Sequence, residues 1–232
     1  YDGINEKGVC CNVNVVPRQD VAPVTGTNPG KEELAAVCVV RMILDRAATA
    51  NEALKLIKEY NVSGSMGDFN FHWMVNDDKE SYIIEIIDNK IVAWASFGHI
   101  MTNFYATLDS LTPHACGVER YKILEDNYAM GATMDGMDSL MRMVRYTKAY
   151  ERTTVPFWYS EFYGDDHGKD LNLYSDTTEF AEKLGRIEEL YENMKRGNGM
   201  WITTHCSIYD IGKRRFRLYF QENYEQSFEF GI

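Results

Sequence analysis

Between Phe69 and Ser96 the chain alternates apolar and polar residues through three short runs divided by turn residues, and this constrains the fold more than any other feature. Phe69, Phe71, Trp73 and Val75 alternate with Asn70, His72 and Met74, so in an extended segment the two sets point to opposite faces. Asn76-Asp77-Asp78 and Asp88-Asn89-Lys90 are turn-forming, and the runs Ser81 to Ile87 and Ile91 to Ser96 follow them. Period-two patterning with such breaks predicts an antiparallel meander. A fourth strand is expected from about His99 to Tyr105, carrying Thr102-Asn103.

The N-terminal stretch adds another strand. Gly3 and Gly8 bracket a short polar loop, and Val9 to Val16 then runs apolar with Asn12 and Asn14 set into it. These two amides, two residues apart, share a face. A buried amide without partners costs about 1–3 kcal/mol, so the shared face is either a satisfied polar seam or the floor of a site.

Elsewhere the pattern is mixed. Pro17 to Gly30 is a polar loop. Leu34 to Leu44 is apolar at nearly every position and predicts a helix buried on more than one side. Thr49 and Glu52 fit a capping box opening an amphipathic helix with Ala53, Leu54 and Ile57 inward, ended by Asn61 to Gly67. Helical spacing is expected over 117–129 and 137–146, where Leu140, Met141 and Val144 read as core. Residues 150–176 read as a long aromatic loop and 178–193 as a helix. Strands are expected again at Met200–Ile208, Arg215–Gln221 and Gln226–Phe230. No linker or repeat divides the chain, which predicts a single α+β domain over residues 1–232.

Composition excludes several classes of partner. A net charge of -11 argues against nucleic acid and anionic membranes, both of which need a basic surface. The one basic run, Lys213-Arg214-Arg215-Phe216-Arg217, reads as a solvated hairpin tip. No apolar run reaches membrane-spanning length, and no signal peptide is expected. Five cysteines, an odd number at irregular spacing, fit thiols in a cytoplasmic protein better than a disulfide framework. His114-Ala115-Cys116 and His205-Cys206 lack metal-ligand spacing, so neither metal nor cofactor is expected.

Nucleophiles are equally hard to support from the residues alone. Ser63-Gly64-Ser65 lacks the strand–elbow–helix setting of a serine hydrolase. Cys10 and Cys11 sit in an apolar strand, where burial dulls a thiol. Asp77-Asp78 and Asp165-Asp166 read as solvated turn and loop carboxylates.

Four motifs in order along the chain carry a resemblance. They are Asp2-Gly3-Ile4-Asn5-Glu6-Lys7-Gly8; Phe71-His72-Trp73-Met74-Val75-Asn76-Asp77 with Ser81-Tyr82-Ile83-Ile84-Glu85; Met101-Thr102-Asn103; and Thr112-Pro113 with Glu119-Arg120-Tyr121. Thr203-Thr204-His205-Cys206-Ser207-Ile208 matches more loosely. Together they resemble the choloylglycine hydrolase family, which includes bile salt hydrolases and penicillin V acylases.

The resemblance implies an N-terminal-nucleophile fold, a four-layer αββα sandwich with antiparallel sheets. It implies hydrolysis of a linear amide C–N bond by an N-terminal cysteine whose own α-amino group serves as base. Asn103 carries over as an oxyanion donor, Asn14 is matched as a second, and Asn12 competes with Asn14 for that assignment. Arg120 carries over as the arginine near the nucleophile, where a fixed positive charge favours thiolate. In the family the cysteine precedes the Asn-Glu-Lys-Gly motif by several dozen residues. The chain opens at Tyr1 after that point, so it is expected to be the larger part of the enzyme, inactive alone and lacking one or two N-terminal strands. An upstream segment carrying the nucleophile is the expected partner, with a small acyl amide as substrate. Unpaired strand edges favour a homo-oligomer. A non-catalytic module or an acyltransferase on the same fold are the alternatives.

Overall fold

The computed structural model describes residues 1–17, 22–64, 69–95, 100–106, 121, 124–125, 205–220 and 226–232. They group into two compact units. The first holds Tyr1–Tyr121, Ser207–Arg217 and Glu229–Ile232, and the second holds Lys122–Cys206 and Leu218–Phe228.

The first unit is organised by a five-stranded antiparallel sheet. Its strands are β1 (Asp2–Ile4), β2 (Cys10–Pro17), β5 (Phe69–Asn76), β6 (Ser81–Ile87) and β7 (Lys90–Ala95), side by side in that order. The meander predicted from alternation is therefore present, its first return made at Asp77–Glu80 and its second at Asp88-Asn89. Both of the latter residues take positive φ, 50° and 59°, the conformation a two-residue hairpin demands and Asp and Asn tolerate. The segment Asp2–Ile4, expected to be a turn feeding the first strand, is itself a strand. It pairs with β2 through Asp2↔Asn12, Gly3↔Cys11 and Ile4↔Cys10.

One face of this sheet meets two helices, α1 (Val39–Arg46) and α2 (Ala50–Ile57). Cys11, Phe71, Trp73, Val75, Ile84 and Ile86 point into that layer and pack with Val39, Val40, Ile43, Ala53 and Ile57. Burial of each large side chain stabilises by about 1.5–3 kcal/mol, which is why the alternation is so regular here. The predicted helix from Leu34 to Leu44 starts later than expected. Glu33–Ala35 form strand β3, paired in parallel with β4 (Asn61–Ser63), and Ala36–Cys38 make a 3-10 turn. β4 thus replaces the loop expected after α2. Nor is α1 buried on several sides, since Arg41 and Asp45 are exposed and ion-paired at 2.7 Å on its outer face. The apolar run reads as all-round helix only because it spans two kinds of element.

Thr49 caps α2 as predicted, its Oγ1 accepting from the Glu52 N–H at 3.1 Å. The Glu52 carboxylate reaches the N–H of Ala48 at 2.8 Å rather than that of Thr49. A third acceptor comes from the meander: Asp77 Oδ2 takes the Ala50 N–H at 2.8 Å.

Asn5 ties the first hairpin to the helices. Its Oδ1 accepts from the N–H groups of Lys7 at 3.1 Å and Val9 at 3.0 Å. Its Nδ2 donates to the carbonyls of Leu44 at 3.1 Å and Ala47 at 2.8 Å, the C-terminal end of α1. Gly3 packs closely beside it: a Cβ there would sit 2.5 Å from Leu44 Cδ1, so a larger residue would need the end of that side chain to shift.

At the C-terminal end β8 (His205–Asp210), β9 (Arg215–Phe220) and β10 (Phe228–Gly231) form a three-stranded sheet in the order β10-β9-β8. The basic run at this turn is paired more than solvated. Arg215 and Arg217 each bind Glu229 at 2.8 Å, and Arg214 donates to the Glu6 carbonyl at 2.9 Å. Tyr209 donates to Asp2 Oδ2 at 2.7 Å, linking β8 to β1.

The strand expected over His99–Tyr105 does not form within the described residues 100–106. The Met101 and Thr102 carbonyls and the Ala106 N–H are instead bonded by side chains of the sheet. The helices expected over 137–146 and 178–193, and the loop at 150–176, lie outside the described residues. Of the helix expected over 117–129, Tyr121, Leu124 and Glu125 are described, and all three are helical. Among the described residues no helix is long and apolar enough to cross a membrane.

Candidate active site

Three polar side chains stand in one row across the middle of the large sheet. Asn14 on β2 is directly opposite His72 on β5. The rung Trp73↔Ile84 makes Glu85 on β6 the next residue opposite His72. Alternation puts all three on the face turned away from α1 and α2. The row holds both ionisable residues that are fully buried in this sheet, His72 and Glu85.

Residues 101–106 lie against the row and bond to each of its side chains, while His72 Nδ1 makes no hydrogen bond. His72 Nε2 is 2.7 Å from the Thr102 carbonyl, and because a carbonyl only accepts, that nitrogen carries the hydrogen. Asn14 Nδ2 donates to the same carbonyl at 3.3 Å and lies 3.5 Å from that of Met101. Glu85 Oε1 accepts the Ala106 N–H at 2.7 Å and stands 3.5 Å from His72 Nδ1. Asn103 completes the arrangement by donating from Nδ2 to the Val15 carbonyl at 2.8 Å.

Burial grades across the row. His72 and Glu85 are 0% exposed, whereas Asn14 and Asn103 are half-buried and retain solvent access. Tyr105 packs edge-on against His72, ring centroids 6.0 Å apart at 74°. Burial pushes its phenol up to about 12; the Asn70 side chain opposes this and the Glu85 charge adds to it. Tyr105 is therefore a neutral hydroxyl at physiological pH.

Of the residues singled out from sequence, Asn14 and Asn103 come together. Asn12 shares their face but lies further along β2, opposite Met74 on one side and Asp2 on the other. Arg120 lies outside the described residues. His72 and Glu85 were matched only as motif letters. The signal that could have marked them is an ionisable residue at an inward position of each of two adjacent apolar strands.

The cysteines of β2 are poor nucleophiles in this setting. Burial, with the Asp2 charge adding to it, pushes the Cys10 thiol up to about 12. Burial raises Cys11 further still. A thiol so raised holds almost no thiolate near neutrality. Among the described residues no group of His, Cys, Asp and Glu is arranged to hold a metal ion. What the row and the segment against it offer is a pair of amide donors, Asn14 and Asn103, partly exposed and oriented by backbone bonds, which donate at any pH without titrating.

Comparison with known proteins bears on what such donors serve. A family model described as linear amide C-N hydrolases, choloylglycine hydrolase family, matches residues 1–158. No curated protein matches the sequence significantly. Among solved structures, a mutant of conjugated bile acid hydrolase from Clostridium perfringens superposes with a TM-score of 0.50 at 14% identity, covering 100% of this chain and 72% of that one. A second variant of the same enzyme gives 0.50 at 13% identity, covering 99% and 72%. Penicillin V acylase from Agrobacterium tumefaciens gives 0.50 at 17% identity, covering 100% and 66%. The likeness is one of fold: these neighbours are N-terminal-nucleophile hydrolases, and the antiparallel sheet packed on helices agrees with that α+β architecture.

Proposed function

Because this chain belongs to the choloylglycine hydrolase family of linear amide C–N hydrolases, we propose that it is the larger part of a cysteine N-terminal-nucleophile enzyme cleaving acyl amides such as conjugated bile salts or penicillin V. The observation that carries this reading is the meeting of Asn14 and Asn103 on one partly exposed patch of the sheet. Amides held in this way suit an oxyanion, because a fixed donor aimed at developing charge needs no reorganisation during reaction.

In the mechanism we propose, a cysteine upstream of Tyr1 supplies the nucleophile and its own α-amino group takes the thiol proton. The thiolate adds to the amide carbonyl, and Asn103, with Asn14 beside it, donates to the oxyanion. Collapse expels the amine, which leaves with the proton held by the α-amino group, and water then hydrolyses the thioester. Arg120 contributes a positive charge favouring thiolate. Cys10 and Cys11 take no part, which their burial and raised thiols support. We place the enzyme in the cytoplasm as a homo-oligomer; the exposed Phe228, Phe230 and Ile232 support association.

The test is turnover by the complete natural protein, assayed with glyco- and tauro-conjugated bile salts and with penicillin V. Release of the free amine or of the penicillin nucleus is expected. No turnover of any acyl amide would reject the reading in favour of a non-catalytic module, and preference for an amine acceptor over water would make the protein an acyltransferase.

A further inference from the structure

We propose that His72 and Glu85 are positioning residues that set the aim of the Asn103 amide; the proposal rests on the reading of Asn103 as oxyanion donor given above. The segment that carries Asn103 has no strand ladder of its own in the described residues, so its backbone groups need other partners. The two buried side chains supply them at both ends. His72 Nε2 holds the carbonyl of Thr102, one residue before Asn103, at 2.7 Å. Glu85 Oε1 holds the N–H of Ala106, three residues after it, at 2.7 Å. The Glu85 carboxylate also stands 3.5 Å from the other imidazole nitrogen, so the two buried side chains sit against each other as well as against the segment.

Stability alone does not account for this pair. Both residues are fully buried, where charged or polar groups cost more than well-packed hydrophobic ones. Leucines in their places would fill the sheet but leave the Thr102 carbonyl and the Ala106 N–H without these partners. The row instead converts the rigid rungs of three strands into fixed points for a short irregular segment. Such precision matters for catalysis, since a displacement of about 1 Å at a reacting group costs up to ~100-fold in rate.

The experiment uses the complete protein with four substitutions: His72→Leu, His72→Gln, Glu85→Leu and Glu85→Gln. The leucine variants should lower kcat by roughly 30- to 100-fold with KM changed less than about threefold. His72→Gln keeps an N–H able to reach the Thr102 carbonyl, and Glu85→Gln keeps an oxygen for the Ala106 N–H. Both should recover most of the loss. A second readout is independent of turnover: the side-chain amide signals of Asn103 in a 15N–1H spectrum, assigned by their disappearance in Asn103→Asp. They should shift in the leucine variants and return toward wild type in the glutamine variants. Unmoved Asn103 signals, or a glutamine variant as impaired as its leucine counterpart in both readouts, would overturn the positioning role. If wild-type protein cleaves no acyl amide the functional reading fails by itself, and the amide signals still decide whether His72 and Glu85 orient Asn103.

Discussion

Asn14 and Asn103 clasp each other's backbone: Asn14 Nδ2 donates to the carbonyl just before Asn103, and Asn103 Nδ2 donates to the carbonyl just after Asn14. The two residues are far apart in sequence, yet each amide is oriented by the other's main chain. A reciprocal pair of this kind locks two donors relative to one another without a salt bridge or a metal. Neither amide titrates, so both keep their N–H groups at any pH, which suits a site where negative charge develops only transiently.

Removing one member of the clasp tests its role. Asn103→Ala in the complete protein should lower kcat by about 10²- to 10³-fold while KM changes little, as expected for a donor that matters most in the transition state. Steady-state kinetics on a conjugated bile salt or penicillin V checks this. Full activity in the variant would remove Asn103 from the mechanism.

Asn5 should matter for stability instead. All its polar atoms are spent on backbone groups, two at its own turn and two at the end of α1. Asn5→Ala leaves buried or half-buried donors and acceptors without partners, and should lower unfolding stability by about 3 kcal/mol. Urea denaturation would show the midpoint falling at unchanged slope. A midpoint within error of wild type would mean water replaces the amide at little cost.

Asp77 links helix α2 to pH. Burial alone would raise its carboxyl, but backbone N–H groups of Ala50, Lys79 and Glu80, with the Lys79 charge, outweigh that and hold it below the ordinary carboxylate range. A depressed folded value means the unfolded chain binds the proton first as pH falls. The stabilisation is therefore complete above about pH 4–5 and is lost on acidification through the lower, folded value. Asp77→Asn should show a shallower acid-side decline in melting temperature than wild type. Identical profiles for the two proteins would contradict the assignment.

The cysteines make a chemical prediction. Cys38 is exposed, whereas Cys10 and Cys11 are buried. Treatment of the native protein with a thiol reagent at neutral pH, read by mass spectrometry, should modify Cys38 and spare Cys10 and Cys11 until denaturant is added. Rapid native labelling of Cys10 or Cys11 would reopen either as a nucleophile.

Sequence by itself determined what depends on neighbours along the chain. The period-two runs of β5, β6 and β7, the Thr49 cap and the turn between β8 and β9 all follow from local rules of side-chain direction, capping and turn chemistry. It also put Asn12 and Asn14 on one face of their strand, since alternation fixes faces once a strand is recognised. Tertiary structure decided the rest. Local apolarity could not separate the β3 strand from α1, because both bury similar residues and the boundary depends on β4 arriving in parallel beside Glu33–Ala35. Thr102-Asn103 has the pattern of a strand and is not one, because the Thr102 carbonyl is claimed by His72 and Asn14, and the nearby Ala106 N–H by Glu85, from strands remote in sequence. The row of Asn14, His72 and Glu85 exists only once three strands are in register. Register is a long-range property: it is set by which hydrogen-bond rungs the whole sheet can form together, and no single strand contains that information.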